Sequence, residues 1–225
     1  MSFCSLGFLV FFPVVFLLDY LIPRKGQWLL LLLASYYFYM CWKPEFVLLI
    51  LASTCIDYIS ARMMEARPNR KKIWLLVSVV SNLSLLFFFK YYAFFTSNIN
   101  SLFRFIGIPM SFPALNIILP VGISFYTFQT MSYTIEVYRG HIRAERHFGY
   151  FALFVSYFPQ LVAGPIETPQ NLLPQLKKPH AFSYPDAVYG TKLMVWGFFK
   201  KLVVADTAAK FVDAVFNNVN REING

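Results

Sequence analysis

The stretch LPVGISFYTFQTMSYTIEVYRG, residues Leu119–Gly140, is long enough to cross a lipid bilayer, yet it carries amide and carboxylate side chains among its aromatic residues. If it is helical, its small and polar residues recur every three or four positions and share one face. We call this face the polar stripe; it consists of Gly122, Tyr126, Gln129, Tyr133 and Glu136. Because polar groups are costly in lipid, we expect the stripe to face a bundle interior or a wet cavity.

The composition indicates a polytopic membrane protein. Of the 225 residues, 58% are hydrophobic, 20% aromatic and only 14% charged, and the mean hydropathy is +0.54, which lies far outside the range of soluble globular proteins. The net charge of +9 could indicate a nucleic-acid partner, but the basic residues cluster between apolar runs. That pattern is typical of membrane orientation, so we expect membrane lipid as the surroundings and no nucleic acid.

Apolar runs predict the first helices. Each run is near the ~20 residues of a membrane span or somewhat shorter, and the first lacks the basic start and cleavage pattern of a secretory signal, so we expect it to stay as a helix. The four runs are Phe3–Ile22, Trp28–Trp42, Phe46–Ile59 and Ile73–Phe89. The next segment, Tyr91–Ile106, has one apolar and one polar face and is predicted to lie in the membrane interface.

Two basic clusters set the expected orientation. The loop Arg62–Lys72 carries five basic residues against Glu65, which predicts that it lies in the cytoplasm. Counting back along the chain places the N-terminus outside. The opening stretch then crosses inward and ends in a second basic cluster, Arg139–Arg146, on the same predicted side.

The segment after this cluster is predicted to be a broken or re-entrant helix. Its apolar run, Tyr150–Ala163, is short and contains Pro159, and the Gly164-Pro165 pair follows; proline removes an amide donor and disrupts a helix. If the segment crosses fully, Lys177–Lys178 lie outside; if it turns back, they lie inside. The charges alone leave both possibilities open.

The rest of the chain completes an all-α prediction. Tyr184–Val204 is expected to be one more hydrophobic helix, Asp206–Val219 an amphipathic helix and Asn217–Gly225 a polar connection. The sequence therefore predicts a membrane helical bundle with about six to seven membrane helices, one of them broken or re-entrant, together with interfacial helices. Without a repeat or flexible linker, residues 1–225 are expected to form a single membrane-embedded unit.

Cysteine and histidine residues point to neither a metal nor a nucleotide site. Cys4, Cys41 and Cys55 have no metal-ligand or C-x-x-C spacing and are expected to be buried small hydrophobic residues. The three histidines are expected to be loop residues rather than catalysts, and no H-E-x-x-H, Walker or dinucleotide motif is present. They are His141, His147 and His180.

The carboxylates allow several interpretations. Asp19 and Asp57 lie near predicted helix ends and are expected to reach the interface or a neighbouring arginine such as Arg62. Glu136 and Arg139, three residues apart, could form a structural ion pair or line a substrate path, and both alternatives stay open. Gln129, deeper in the same stripe, is harder to explain structurally.

A second segment is rich in prolines and amides. It is YFPQLVAGPIETPQNLLPQL, residues Tyr157–Leu176, and it also carries Glu167. Such a segment between apolar helices indicates either an ordered loop that lines a cavity or an ordinary surface connection with turn prolines. The composition does not distinguish between these two interpretations.

These two segments, in this order and spacing, resemble the membrane-bound O-acyltransferase family, in particular its branch of alginate O-acetylation proteins and the D-alanyl transfer protein of teichoic acid. IDYISAR at Ile56–Arg62 and FFKYYAFF at Phe88–Phe95 are similar to that branch as well. The resemblance spans nearly the whole chain. It implies a bacterial cytoplasmic membrane protein in which a ring of tilted helices surrounds a thin central region.

The resemblance also implies a chemistry, namely transfer of an acyl group, typically acetyl, from a thioester donor to a hydroxyl of a cell-surface polymer or to a relay partner. It implies no bound cofactor, since the donor, acetyl-CoA or an acyl carrier, is a substrate, and it implies a polysaccharide acceptor and a periplasmic or extracellular acyltransferase partner. The residues that match interior-lining segments are tunnel candidates: Gln129, Tyr133, Glu136, Arg139, Gly164 and Pro165.

The chain departs from the family pattern in one important respect. The family's catalytic histidine lies in a later W-H segment, after an FDFSGYSD-like helix, and neither occurs in these 225 residues. We therefore expect the sequence to correspond to the N-terminal half of such a protein and to supply walls, with no catalytic residue. The alternative is a non-enzymatic transporter component or partner-binding scaffold. The acceptor polymer, the donor and the oligomeric state are left open.

Overall fold

The computed structural model describes residues 3–108, 110, 112–113, 118–162, 164–179 and 181–222, with side chains as far as residue 216. Every regular element in this part of the chain is helical, which confirms the all-α prediction. The α-helices are α1 (Leu6–Leu21), α2 (Arg24–Met40), α3 (Val47–Ala66), α4 (Lys71–Leu86), α5 (Tyr92–Ile106), α6 (Ile123–Arg139), α7 (Phe148–Ser156), α8 (Phe158–Leu161), α9 (Pro169–Lys177), α10 (Tyr184–Phe199) and α11 (Asp206–Glu222).

Two of the predicted helix boundaries are replaced by continuous helix. A π-helical turn at Phe87–Tyr91 joins α4 to α5, and another at Lys200–Ala205 joins α10 to α11. The predicted polar connection from Asn217 is wrong as far as Glu222, because α11 extends to that residue. In both places a π-turn absorbs the change in hydrophobic pattern without breaking the helix.

In the described part of the chain, two helices are long and apolar enough to cross a membrane, judged by length and composition alone. They are the helix Pro44–Ala66, of 23 residues, and the continuous helix Pro68–Ile106, of 39 residues; α1 is apolar but shorter. Only 17% of the most apolar stretch of the longer helix is buried within the protein. Much of its hydrophobic surface therefore faces outward.

The chain forms two compact units, residues 21–178 and residues 2–20 with 179–225. In the second unit, the Phe182 ring lies 5.6 Å from the Tyr20 ring and 6.4 Å from the Phe16 ring. No residue of α10 is buried. The expectation of a single membrane-embedded unit stays a prediction.

The first unit is built around α3, α4 and α6, with α7 packed against α2 and α3. Its core is aromatic as well as aliphatic: Tyr133, Phe151 and Phe154 are completely or almost completely buried, and the ring centroids of Tyr133 and Phe151 lie 4.5 Å apart. One face of α6 therefore packs directly on α7.

The predicted break after the second basic cluster is present. The chain leaves the helical conformation at Tyr157, between α7 and α8, and Pro159 lies in the first turn of α8. The segment predicted as a loop also contains α9, with Pro174 inside it. The Lys177 ammonium at the end of α9 contacts the Glu145 carboxylate, which precedes α7. The chain thus returns to the end of the unit from which α7 started.

Two expectations about single side chains are wrong. Cys4, Cys41 and Cys55 are all exposed rather than buried. Asp57 is fully buried and reaches neither an interface nor Arg62, which pairs with Glu65 at 3.2 Å. Asp19 is also buried, with 7% of its surface exposed.

Candidate functional site

Two glycines in the left-handed conformation bound α6. Gly122 precedes the helix with φ of 76°, and Gly140 follows it with φ of 78°. Left-handed backbone favours glycine because it has no Cβ. At Gly122 an added Cβ would also lie 2.6 Å from the Leu161 carbonyl oxygen. Gly122 therefore lets α8 approach the start of α6.

The polar stripe faces protein, as expected from its spacing. Tyr126, Gln129 and Tyr133 are 1%, 3% and 0% exposed, and Glu136, near the end of the helix, is half-buried. Gly122 lies just outside the helix and begins the stripe. The stripe therefore runs along the interior of the unit and reaches its surface at Glu136.

Gln129 connects α6 to the broken helix. Its Nε2 donates to the Phe154 carbonyl at 2.8 Å, and its Oε1 lies 3.4 Å from Gln160 Nε2. Gln160 Nε2 also donates to the Pro165 carbonyl at 3.0 Å. The amides of α6 and α8 thus link the middle of the stripe to the Gly164-Pro165 segment.

Gly164 lies close to α8. Its N–H donates to the Gln160 carbonyl at 2.9 Å, and a Cβ added to Gly164 would lie 2.7 Å from the Gln160 Cα. Pro165 is exposed. The two tunnel candidates in this segment are therefore brought next to Gln129, one crowded against the protein and the other on the surface.

Tyr133 contacts the basic loop that follows α6. Its hydroxyl accepts a hydrogen bond from the Glu145 N–H at 2.7 Å. The buried Glu145 carboxylate in turn accepts from the N–H groups of Arg146 and His147, both at 3.0 Å, and from the Lys177 ammonium. Tyr133 is thus held by the loop, with its ring in the core.

Glu136 and Arg139 lie at the surface end of the stripe. Arg139 Nη1 is 3.8 Å from Glu136 Oε1, so the two residues form the predicted pair. The other Glu136 oxygen, Oε2, lies 2.9 Å from His141 Nδ1 and accepts a hydrogen bond from Gln170 of α9. Glu136 therefore connects α6, the basic loop and α9.

The two described histidines are loop residues, as expected. His141 follows α6 directly and is paired with Glu136, whereas His147 precedes α7 and its Nδ1 accepts from the Tyr150 N–H at 3.3 Å. The His147 ring lies 4.8 Å from the Trp28 ring. His180 is outside the described part of the chain.

A second polar group lies on another face of α6, and the sequence interpretation missed it. Asp57 accepts from the Ser78 hydroxyl at 2.6 Å and from Asn82 Nδ2 at 2.8 and 2.9 Å. Ser53 donates to Asn82 Oδ1 at 2.9 Å. We call this group the buried polar cluster; its members are Ser53, Asp57, Ser78, Asn82, Thr130 and Thr134.

The signal for the cluster was present in the sequence. Ser53 and Asp57 are four residues apart on α3, Ser78 and Asn82 are four apart on α4, and Thr130 lies four residues before Thr134 on α6. The spacing is the same as that of the polar stripe. What the sequence did not show is that the three short patterns face one another.

The buried part of the site offers amides, phenols and hydroxyls, together with the carboxylates of Asp57 and Glu145. A general base for deprotonating a hydroxyl is usually a histidine or carboxylate in reach of the proton. Among the described residues, no group of three histidine, cysteine or acidic side chains could hold a metal ion. The contacts of Gln129, Tyr133 and Gln160 thus form an ordered polar surface inside the unit.

Comparisons with known proteins identify relatives. The chain is 39% identical over 220 residues to the "Probable alginate O-acetylase" of Pseudomonas aeruginosa and 38% identical over 220 residues to that of Azotobacter vinelandii. It is 33% identical over 245 aligned positions to a peptidoglycan O-acetyltransferase of Helicobacter pylori. Each alignment covers 96% of this chain and 42%, 44% and 45%, respectively, of the relative.

No family model matches the chain, and no solved structure matches it significantly. The curated relatives are therefore the basis for its classification, and the chain spans somewhat less than half of their length. The resemblance seen in the sequence is confirmed, because 96% of the chain aligns with alginate and peptidoglycan O-acetylating proteins.

Proposed function

We propose that the chain is part of a membrane O-acetyltransferase that acts on a cell-surface polysaccharide. The observation that carries this proposal is the 39% identity to an alginate O-acetylase across 96% of the chain. Alginate is the first candidate acceptor because several of the relatives carry that name. Peptidoglycan is the second, since one relative is a peptidoglycan O-acetyltransferase.

The proposed protein is a polytopic bundle in the bacterial cytoplasmic membrane, with about six to seven membrane helices. Support comes from the helix Pro68–Ile106, which is long, apolar and mostly unburied. An apolar helix surface that is not covered by protein is stable when lipid surrounds it. Membrane lipid is therefore the proposed environment of these outward faces.

The basic end of the first unit is proposed to face the cytoplasm, with the N-terminus outside. The two predicted basic clusters lie together: Lys71 Nζ is 4.8 Å from the Tyr138 ring, and the Ala144 N–H donates to Glu65 at 2.7 Å. This arrangement agrees with the positive-inside rule. The contact of Lys177 with Glu145 supports the re-entrant alternative for α7–α9, in which Lys177 lies inside.

In the proposed reaction, an acceptor hydroxyl attacks the carbonyl carbon of an acetyl thioester, the carbon–sulfur bond breaks, and an ester and a free thiol result. The hydroxyl proton passes to the leaving sulfur by way of a histidine that we expect in the part of such proteins beyond these 225 residues. The donor, acetyl-CoA or an acyl carrier, enters from the cytoplasm. A periplasmic or extracellular acyltransferase completes delivery.

The chain is proposed to line the acyl path with six residues: Gln129, Tyr133, Glu136, Arg139, Gly164 and Pro165. Support comes from the direction of the polar stripe, which runs from the basic end of the unit to Gly122 at the opposite end of α6. Holding reactants in a fixed geometry contributes strongly to transfer rates. A wall of ordered polar contacts is suited to that task.

A transporter component or partner-binding scaffold is the second candidate function. The broken helix at Tyr157 and the fully buried Asp57 favour it, since interrupted helices and buried polar groups at membrane depth are typical of transporters. If this second candidate is correct, no protein that contains the chain transfers acetyl groups.

A segment exchange tests the proposed function. The aligned part of the Pseudomonas aeruginosa relative is replaced by this chain, and the chimaera is expressed in cells that lack the relative. We expect acetylated alginate, measured as ester-bound acetate per uronic acid. Glu136→Gln should lower acetylation by about tenfold at an unchanged level of membrane protein, because a wrongly oriented donor reacts more slowly.

The matched control is Phe128→Leu, which changes an exposed residue on the same helix and should leave acetylation unchanged. A chimaera that reaches the membrane at the normal level without acetylating alginate would count against the proposal. A further test supplies a radiolabelled acetyl donor to membranes that hold this chain alone. Acetyl transfer by these membranes would overturn the proposal that the chain lines the path and lacks a catalytic base.

A further inference from the structure

Two backbone groups are separated where α7 ends. In a continuous helix the Phe158 N–H would donate to the Phe154 carbonyl, four residues earlier. Tyr157 has ψ of 110°, outside the helical range, and Pro159 has no N–H to offer the preceding turn. The break therefore leaves one donor and one acceptor without each other, inside the protein.

Each of these two groups is bound by a side chain from a different helix. Gln129 Nε2 of α6 donates to the Phe154 carbonyl at 2.8 Å. The Phe158 N–H donates to the Ser35 hydroxyl oxygen of α2 at 3.2 Å, and this hydroxyl donates in turn to the Leu31 carbonyl at 2.7 Å. Both side chains are buried, with Gln129 3% and Ser35 0% exposed.

These contacts matter because the break lies in the interior. A buried backbone group without a hydrogen-bond partner is costly, and irregular backbone at membrane depth persists only where protein or water satisfies it. Gln129 and Ser35 supply partners for two of the backbone groups that the break separates, the Phe154 carbonyl and the Phe158 N–H. Without these two partners, the broken conformation would be less stable relative to a continuous helix or to a locally opened one.

Gln129 also fixes the chain beyond the break. Its Oε1 lies 3.4 Å from Gln160 Nε2, and Gln160 Nε2 donates to the Pro165 carbonyl at 3.0 Å. The same side chain thus contacts the end of α7 directly and the Gly164-Pro165 segment through one intermediate amide.

We propose that Gln129 and Ser35 form a clamp that holds the helix broken at Tyr157 and sets the path of the Gly164-Pro165 segment. Gln129 is then a positioning residue, which shapes the proposed acyl path through the re-entrant segment. That this path matters for acetyl transfer rests on the proposed function. The clamp itself is independent of that function.

Thiol labelling tests the clamp in the complete chain. In membranes, with Cys4, Cys41 and Cys55 replaced by serine, Ser156→Cys places a buried, similarly sized reporter at the end of α7. Gln129→Met keeps the length of the side chain and removes the donor. We expect N-ethylmaleimide to label the reporter about tenfold faster or more in the Gln129→Met chain, as loss of a hydrogen bond to a buried group predicts.

A second reporter distinguishes local opening from unfolding. Ser60→Cys, on α3, is equally buried, and its labelling should not change. Ser35→Ala should accelerate labelling at residue 156 as Gln129→Met does, while Ser35→Thr, which retains the hydroxyl, should restore slow labelling.

Three outcomes would overturn the clamp: unchanged labelling at residue 156 in both variants, equal acceleration at residues 156 and 60, or no difference between Ser35→Ala and Ser35→Thr. None of these readouts requires acetyl transfer, so failure of the proposed function would leave them unaffected. Conversely, a chimaera in which Gln129→Met abolishes acetylation while residue 156 stays unlabelled would show that Gln129 acts on the substrate directly.

Discussion

Asp57 holds three helices together through a carboxylate that is completely buried. Ser78 and Asn82 of α4 donate to it, and Ser78 lies 3.0 Å from the Thr134 hydroxyl of α6. A polar network of this kind favours one arrangement of helices because any other leaves its members unpaired. The residue expected at an interface therefore belongs to the centre of the bundle.

Asp57→Ala is expected to lower the free energy of unfolding of the detergent-solubilised chain by about 1–3 kcal/mol, since Ser78 and Asn82 lose a buried acceptor. The thermal unfolding midpoint measures the effect. Ser60→Ala, at a buried hydroxyl one turn further along α3, is the matched control and should shift the midpoint little. Equal shifts would argue against the network as the cause.

At the scale of elements, α6 is the helix whose position decides the candidate site. Its polar stripe faces α7 and α8, and its threonines face α3 and α4. The glycines at its two ends have nearly the same φ, but only Gly122 lies against another element. The start of the helix is thus fixed by packing as well as by backbone conformation.

Gly122→Ala should destabilise the chain more than Gly140→Ala. Both variants place a Cβ in the left-handed region, at about 1–2 kcal/mol, but at Gly122 the Cβ would also lie 2.6 Å from the Leu161 carbonyl oxygen, whereas at Gly140 nothing lies within 4 Å. Unfolding midpoints of the two purified variants give the comparison. Equal midpoints would mean that α8 moves freely away from α6.

The helices themselves were largely predictable from sequence. Apolar runs located α1–α4, and Pro159 with Gly164-Pro165 located the break. The two π-turns were not predictable, because the apolar pattern is interrupted at Lys90 and changes to an amphipathic pattern at Asp206. Continuous helix avoids leaving backbone groups unpaired, and that gain outweighs the local cost of a charged residue.

At the scale of the molecule, the two basic clusters, Arg62–Lys72 and Arg139–Arg146, lie together with Lys177 at one end of the unit of residues 21–178. Tyr58 of α3 donates to the Arg146 carbonyl at 2.6 Å, the Trp28 ring at the start of α2 contacts His147, and Lys177 contacts Glu145. Charge counting left the side of Lys177 open. The contact with Glu145 favours the same side as the other basic residues.

Cysteine labelling in intact cells tests this topology. In the chain with its native cysteines replaced by serine, a membrane-impermeant maleimide should label Glu45→Cys, at the opposite end of the unit, but not Lys178→Cys. Permeabilised cells should label both, because both positions are exposed. Labelling of Lys178→Cys in intact cells would contradict the re-entrant path and support a full crossing.

The sequence by itself determined the helical class, the expected membrane environment, the break near Pro159 and the interior direction of the polar stripe, because each depends on local composition and on a period of three to four residues. Only the tertiary structure decided which side chains meet. Asp57 with Asn82, Gln129 with Phe154, and Lys177 with Glu145 are 25, 25 and 32 residues apart in the chain. Such pairings follow from how helices pack against one another, and helical periodicity carries no information about partners.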